Sequence, residues 1–267
     1  MKYDYKAAFQ RNHGFLDEHE QEKMRGSRVA IAGLGGTGGA QVHALARMGV
    51  GAFNLADPDE FELANFNRQS GATMQTIGRS KADVAAEQVL SINPEANICR
   101  FKDGINKDNI EEFLKDVDVV VDSLDFYCFS ERFLLYSHAR SKGLWVLTSP
   151  PLGFGFTLLA FDPKGMSFEE YFDFNESMEQ RDLIVSLFAG IASVDVVDAS
   201  TVKVTLSSPN GGFITNMAWG DAVIVAPESI ANAATSPVGT GPFVFSNWVQ
   251  GDRIEMSKND NYWGAPV

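Results

Sequence analysis

Three glycines near the start of the chain have the spacing of a phosphate-binding turn. Gly33, Gly35 and Gly38 form a G-x-G-x-x-G pattern directly after the apolar run of residues 28–32. Glycine lets the backbone approach a phosphate closely, and the helix that follows offers free N–H groups at the positive end of its dipole. The pattern alone fits NAD as well as ATP, because Asp57 lies where a ribose-binding carboxylate is expected.

Three charged side chains further along the sequence favour nucleotidyl transfer over hydride transfer. Arg68 lies in the segment NFNRQ (residues 65–69), Lys81 opens a helical pattern, and Asp125 follows the β-branched run of residues 117–121. When an α-phosphate is attacked, the triphosphate charge must be neutralised by Arg and Lys and by a magnesium ion held on a carboxylate. Hydride transfer needs none of these groups beside the phosphates.

The hydrophobic pattern predicts strands and helices in alternation. Strands are expected over residues 28–32, 52–56, 97–102, 117–121, 145–148 and 156–161, and helices over residues 17–25, 80–92, 108–115, 130–142 and 178–191, besides the helix that ends at Gly49. This alternation is typical of an α/β doubly wound, Rossmann-like fold with a mostly parallel sheet. The carboxyl edge of such a sheet would bring the glycines and the charged side chains together.

The motifs also stand in the order and spacing of the ThiF/MoeB/HesA superfamily, the adenylating proteins related to ubiquitin-activating enzymes. The chain resembles this superfamily over about residues 5–192, with the Asp-Pro-Asp segment of residues 57–59 included in the match. The resemblance implies ATP and Mg²⁺ as cofactors and the activation of a carboxylate as an acyl-adenylate, with release of pyrophosphate. It implies as partner a small ubiquitin-like or sulfur-carrier protein whose C-terminal glycine is adenylated.

The same resemblance implies roles for individual residues. Asp57 would bind the ribose, Arg68 and Lys81 the phosphates with support from Asn65, and Asp125 the magnesium ion. Arg11 would reach into the site of a partner protomer, so a homodimer is expected. Further nucleotide contacts are implied for Gly33, Gly35, Gly36, Gly38 and Asp59.

The cysteine content departs from part of the superfamily. The chain has two cysteines, Cys99 and Cys128, and no C-x-x-C pair. A structural zinc site built from two such pairs is therefore not expected. Neither cysteine is assigned as a thioester-forming nucleophile.

The hydrophobic pattern of the sequence changes after about residue 192. Period-two strand patterns cover residues 194–198, 201–206, 243–248 and 253–257, with a loop at residues 209–212 and a turn signal at residues 251–252. Residues 194–267 resemble part of a dipeptide/oligopeptide-type extracellular solute-binding protein. Such proteins close two lobes on a ligand, so a fragment of one lobe cannot form their cleft. We interpret the chain as a chimera of an adenylating domain (1–192) and a solute-binding-protein fragment (193–267).

Composition and charge limit the partners of the chain. Among 267 residues, 22 basic and 35 acidic side chains give a formal net charge of −13. This charge disfavours a nucleic-acid partner, because binding to a phosphate backbone needs a basic surface. The sequence shows neither a signal-peptide core at its start nor an apolar run long enough to span a bilayer, so a cytoplasmic protein without membrane contacts is expected.

Three other functions remain open at the level of sequence. The chain could be the remnant of a peptide-binding protein or a nucleotide-binding module without catalytic activity. It could also be an NAD-dependent oxidoreductase, and a preference for ATP or NAD would separate that alternative from an adenylating enzyme.

Overall fold

The computed structural model describes residues 2–152, 155–172, 174, 191–198, 201–207, 238, 242–249 and 253–262. The chain divides into two compact units, Met1–Asn216 and Met217–Val267. The first unit contains the sheet that positions the candidate site.

Twelve strands and seven α-helices are formed by the described residues. The strands are β1 (Arg28–Ala32), β2 (Ala52–Ala56), β3 (Asn97–Phe101), β4 (Val119–Asp122), β5 (Trp145–Thr148), β6 (Pro151–Leu152), β7 (Gly155–Phe156), β8 (Leu159–Phe161), β9 (Ile191–Asp198), β10 (Thr201–Leu206), β11 (Phe243–Val249) and β12 (Arg253–Lys258). The helices are α1 (Tyr5–Phe9), α2 (Glu18–Gly26), α3 (Gly36–Met48), α4 (Lys81–Ile92), α5 (Ile110–Phe113), α6 (Phe129–Ser141) and α7 (Phe168–Phe172). Short 3₁₀ turns cover Gln10–Asn12 and Leu63–Asn65.

Six strands form the central sheet in the order β3-β2-β1-β4-β5-β8. The first five are parallel, and β8 pairs antiparallel with β5. The chain returns to the centre of the sheet between β3 and β4, so the carboxyl ends of β1 and β4 flank the point at which the strand order reverses. Ligands bind at such a point in open α/β sheets.

Both faces of the sheet are covered. In β1, Val29 and Ile31 belong to one core cluster with side chains of α3 and α4, whereas Ala30 and Ala32 belong to a second cluster with side chains of α5, α6 and α7. This alternation follows from the period of two in a strand. The doubly wound architecture expected from the sequence is therefore confirmed.

Local signals explain where the helices of the first half begin and end. Asp17 and Glu20 form a reciprocal capping box at the start of α2, and the Ser80 hydroxyl accepts a hydrogen bond from the Asp83 N–H at 3.4 Å at the start of α4. Gly49 ends α3 with a φ of +92°. These are the residue types that helix ends select.

Two predicted elements differ from the structure. The helix expected over residues 108–115 is shortened to α5, because the Asn109 side chain accepts the Asn106 N–H at 2.8 Å and holds the preceding residues in a turn. The strand expected over residues 156–161 is divided: only β8 joins the sheet, while Gly155 and Phe156 pair with β6. Most of the predicted helix 178–191 lies outside the described residues, and Ile191 begins β9.

The C-terminal strands form two antiparallel pairs, β9 with β10 and β11 with β12. The predicted loop 209–212 and the predicted turn 251–252 lie outside the described residues. Strand β9 crosses the boundary placed near residue 192, and the two compact units divide after Asn216. The limits 1–192 and 193–267 remain a prediction. In the described part of the chain, no helix has the length and apolarity needed to cross a bilayer.

Candidate nucleotide-binding site

The glycine turn links β1 to α3 with almost no free space around its backbone. Gly33 has a φ of +88°, and its N–H donates to the Ala56 carbonyl at 2.8 Å. A Cβ on Gly33 would stand 2.2 Å from the Ser123 carbonyl oxygen, and a Cβ on Gly38 would stand 1.9 Å from the Gly33 carbonyl oxygen. Only glycine allows this close packing of the turn between β1, α3 and the end of β4.

The first turn of α3 presents backbone N–H groups without a capping side chain. Gly35 is the N-cap residue, and no described side chain caps the helix there. The Gly39 N–H bonds to the Gly35 carbonyl at 2.9 Å, so the free amides are those that precede Gly39. An N-terminus of this kind on a helix of 13 residues is suited to bind an anion.

Asp57 connects the end of β2 to the glycine turn. Its Oδ2 accepts the Leu34 N–H at 2.6 Å and its Oδ1 accepts the Asp59 N–H at 2.9 Å. The residue is 5% exposed, and this burial raises the pKa of its carboxyl group, against the two hydrogen bonds and Lys81, which lower it. Asp57 thus fixes the shape of the turn, a role in addition to the ribose contact expected from the sequence.

Lys81 lies at the start of α4 and is brought together with both carboxylates of the Asp-Pro-Asp segment. Its Nζ lies 2.7 Å from Asp59 Oδ2 and 3.8 Å from Asp57 Oδ1. The Lys81 side chain is 7% exposed, whereas the Asp59 side chain is 66% exposed. A buried cation is therefore held next to the glycine turn by one buried and one accessible carboxylate.

Arg68 lies against the first residue of α3. Its carbonyl oxygen stands 3.3 Å from where a Cβ on Gly36 would be, and its exposed guanidinium binds the Ala64 carbonyl and Asn67 Oδ1, both at 3.1 Å. Asn65 supports this segment, because its Oδ1 accepts the Glu62 N–H and its carbonyl accepts the Arg68 N–H.

Gln69 is a residue of this site that sequence reasoning did not select. It is 6% exposed, and its amide nitrogen lies 3.6 Å from where a Cβ on Gly35 would be. Its Oε1 is the one buried side-chain oxygen or nitrogen of the described residues that has no hydrogen-bond partner. An amide oxygen accepts hydrogen bonds, so this buried atom lacks a donor. The only sequence signal was its position next to Arg68 in the NFNRQ segment.

Asp125 lies in the loop after β4 and is exposed. Its Oδ1 accepts the Phe126 N–H at 2.6 Å. The loop contacts the glycine turn through Ser123, whose carbonyl oxygen would stand 2.2 Å from a Cβ on Gly33. The Ser123 N–H donates to the Ala32 carbonyl at the end of β1 at 2.8 Å. No group of three or more His, Cys, Asp and Glu side chains with the arrangement of a metal site occurs among the described residues.

Arg11 is not brought together with these residues. It is exposed on the 3₁₀ turn before α2, and the neighbouring Asn12 donates to the Met48 carbonyl at 3.1 Å, at the C-terminal end of α3. The glycine turn lies at the other end of α3, and 13 residues of α-helix span about 20 Å. Tyr5 strengthens this attachment by donating to the Gly49 carbonyl at 2.6 Å.

Comparison with curated proteins shows relatives of several named activities. The chain is 34% identical to the tRNA threonylcarbamoyladenosine dehydratase of Bacillus subtilis over 122 residues, which are 45% of this chain and 48% of that protein. It is 33% identical to the SAMP-activating enzyme E1 of Haloferax volcanii over 135 residues, 49% of each protein. It is 30% identical to the sulfur carrier protein ThiS adenylyltransferase of Escherichia coli over 143 residues, 54% of this chain and 56% of that protein. The chain thus spans about half the length of these relatives.

Two solved structures of one such relative are also similar to this chain. The tRNA N6-threonylcarbamoyladenosine dehydratase of E. coli in complex with AMP superposes with a TM-score of 0.52 and 28% identity, over 55% of this chain and 60% of that one. The same protein in complex with ATP covers 81% of this chain and 90% of its own, with a TM-score of 0.54. At 21% identity this second likeness shows the fold alone.

Two family profiles match the sequence and overlap over residues 159–207. The profile of bacterial extracellular solute-binding proteins, family 5 Middle, matches residues 159–267, so the resemblance expected for the C-terminal part is found. The profile of the ThiF family matches residues 9–207, which is most of the chain and includes the glycine turn, Lys81 and Asp125. The chain belongs to the ThiF family.

Proposed function

We propose that this chain binds ATP and transfers its adenylyl group to a carboxylate, with release of pyrophosphate. The observation that carries the proposal is the convergence of charged residues on one glycine turn. Asp57 binds the Leu34 N–H of the turn, and Arg68 packs against Gly36. The loop that carries Asp125 packs against the same turn through its first residues. The buried Gln69 side chain lies beside Gly35 of the same turn.

In the proposed reaction, a carboxylate oxygen of the substrate attacks the α-phosphorus of ATP. The bond from this phosphorus to the bridging oxygen breaks, and pyrophosphate leaves with the electron pair. The free amides at the start of α3, the Arg68 guanidinium and the Lys81 ammonium would stabilise the negative charge of the phosphates. Lys81 is bound to Asp59. Because Asp59 is largely exposed, Lys81 can exchange this partner for a phosphate at small cost.

Asp125 fits a magnesium ion of the kind that accompanies ATP. Mg²⁺ is usually bound through one or two carboxylates together with substrate phosphates, rather than by a complete protein cage. Asp125 supplies one exposed carboxylate in a loop next to the glycine turn. When bound there, the ion would neutralise phosphate charge in the transition state.

Two substrate classes follow from the names of the relatives. The adenylyltransferases act on small carrier proteins such as ThiS, whereas the dehydratases act on a modified tRNA. The formal net charge of −13 opposes binding to a tRNA backbone. We therefore favour a small ubiquitin-like or sulfur-carrier protein with a C-terminal glycine as the substrate.

A homodimer would explain the position of Arg11. Because it lies at the far end of α3 from the glycine turn of its own chain, it would reach a nucleotide only in the site of a second copy. Mixing an Arg11→Ala chain with an Asp125→Ala chain tests this directly. A mixed dimer contains one site with both residues intact, so activity should reappear on mixing. Two inactive chains that stay inactive when a mixed dimer has formed would contradict the role in trans.

The nucleotide is tested by thermal unfolding with Mg-ATP and with NAD. Ligand at a hundredfold excess over its dissociation constant stabilises the folded state by about 2.7 kcal/mol. We expect a rise in melting temperature with Mg-ATP and none with NAD. A rise with NAD alone would instead favour an oxidoreductase.

The reaction is tested by pyrophosphate exchange against small proteins that end in Gly-Gly, free carboxylates and tRNA. Asp125→Ala should abolish the exchange, and Arg68→Ala should slow it by about 10²–10³-fold, the usual effect of removing one donor to transition-state charge. The matched control is Asp108→Ala, which removes an exposed carboxylate outside the site. Exchange at the wild-type rate in both site variants would show that the site is assigned wrongly.

A further inference from the structure

A buried ionic network lies behind the loop that carries Asp125. Asp122, the last residue of β4, is 2% exposed, and its Oδ2 accepts hydrogen bonds from Arg132 Nε at 2.9 Å and from the Tyr136 hydroxyl at 3.2 Å. Its Oδ1 accepts the Leu124 N–H at 3.0 Å. The Arg132 side chain, on α6, is 12% exposed.

The remaining nitrogens of Arg132 hold the backbone on both sides of Asp125. Nη2 donates to the Leu124 carbonyl at 2.6 Å, and Nη1 donates to the Phe126 carbonyl at 2.9 Å. One guanidinium therefore anchors the residue before Asp125, the residue after it and the end of the strand. The Asp125 side chain itself stays exposed.

The loop anchored in this way also contacts the glycine turn. The Ser123 carbonyl occupies the space that a Cβ on Gly33 would need, and the Ser123 hydroxyl donates to Gln41 Oε1 of α3 at 2.6 Å. A displacement of residues 123–126 would thus move Asp125 relative to the turn. Replacing a buried ion pair with apolar groups is often neutral for stability. A contribution to stability therefore does not by itself explain why ionic residues occupy this position.

The structure assigns Arg132 as a positioning residue that holds the backbone around Asp125 so that its carboxylate faces a metal-bound nucleotide at the glycine turn. The part of this assignment that concerns the metal rests on the proposed function. Lysine at this position would keep a positive charge near Asp122, but it lacks the planar fork that reaches two carbonyls at once. Arg132→Lys therefore separates the charge from the geometry.

The first readout needs neither nucleotide nor activity. Hydrogen exchange by mass spectrometry on the free protein should show faster exchange of residues 123–128 in Arg132→Lys than in the wild type. The matched control is Arg140→Lys on the same helix, which loses an exposed bond to the Gly165 carbonyl and should leave this segment unchanged. Unchanged exchange in residues 123–128 of Arg132→Lys would overturn the assignment, as would faster exchange spread evenly over the whole chain.

The second readout is the gain in ATP affinity when Mg²⁺ replaces EDTA, measured by calorimetry. Loss of a group that orients a metal ligand typically lowers metal affinity about 10–100-fold, so Arg132→Lys should lose a gain of this size while Arg140→Lys keeps it. An undiminished gain in Arg132→Lys would overturn the metal part of the assignment. If the wild type itself gains nothing from Mg²⁺, the proposed role of Asp125 fails, and hydrogen exchange still decides whether Arg132 holds the loop.

Discussion

The packing of the glycine turn predicts a large effect for Gly38→Ala. The added Cβ would stand 1.9 Å from the Gly33 carbonyl oxygen, whereas ordinary contacts begin at 3.4 Å, so the two groups must separate by about 1.5 Å. Gly33 cannot easily move away, because its N–H is hydrogen-bonded to the Ala56 carbonyl and its φ is +88°. Overpacking of this kind costs about 1–3 kcal/mol. For a domain of this size that lowers the melting temperature by about 2–12 °C.

The same displacement should weaken nucleotide binding. Because the shift moves the backbone amides that would bind the phosphates, we expect Mg-ATP affinity to fall by about tenfold, a loss of about 1.4 kcal/mol of binding free energy. Differential scanning fluorimetry and calorimetry measure the two effects. The neighbouring Gly39→Ala is the control: its nearest obstacle is the Leu34 carbonyl oxygen at 3.3 Å, and the better helix propensity of alanine keeps the change within about 1 kcal/mol. A Gly38→Ala protein that melts and binds like the wild type would refute the described geometry of the turn.

Three further perturbations have defined outcomes. Burial raises the folded-state pKa of Asp57 above its ordinary value of 3.8, so the contribution of Asp57 to the free energy of unfolding declines as the pH rises from 3.8 through the raised pKa. Urea titrations should show that Asp57→Asn removes this pH dependence. A difference in free energy of unfolding between the two proteins that is constant with pH would contradict the prediction. Tyr5→Phe leaves the buried Gly49 carbonyl without its donor and should lower the free energy of unfolding by about 1–3 kcal/mol. Urea titrations measure this change, and an unchanged free energy of unfolding would show that the bond contributes nothing to stability. A chain that ends at Ala192 should remain soluble, melt cooperatively and bind Mg-ATP, since all the candidate site residues precede that position. Loss of ATP binding on this truncation would show that the C-terminal strands belong to the nucleotide-binding domain.

The sequence was sufficient for the elements whose signals are local. The apolar run of β1, the glycines after it and the Ser80 cap of α4 each act within a few residues, so element type and position followed from pattern. Before α5, Asn106 and Asn109 form a turn that competes with the helix, so the hydrophobic pattern predicted a longer helix than the structure has.

The connections between distant residues could not be predicted in this way. The pairing of Lys81 with Asp59 and the burial of Gln69 beside Gly35 depend on how the segment between β2 and α4 folds back over the turn. The hold of Arg132 on the Asp125 loop requires the packing of α6 against the end of β4. No periodicity in the sequence encodes such contacts, since they form only once the sheet has assembled.

The outer strands of the central sheet bear on how copies of the chain can associate. At one edge, β3 carries the exposed Arg100 and is followed by Lys102. At the other edge, β8 has only three residues and is followed by Asp162 and Pro163. Short edge strands, charged side chains and proline oppose the addition of a strand from another molecule. A sheet that continues from one protomer into the next is thereby disfavoured, and a dimer of this chain would have to bury helix and loop surface instead.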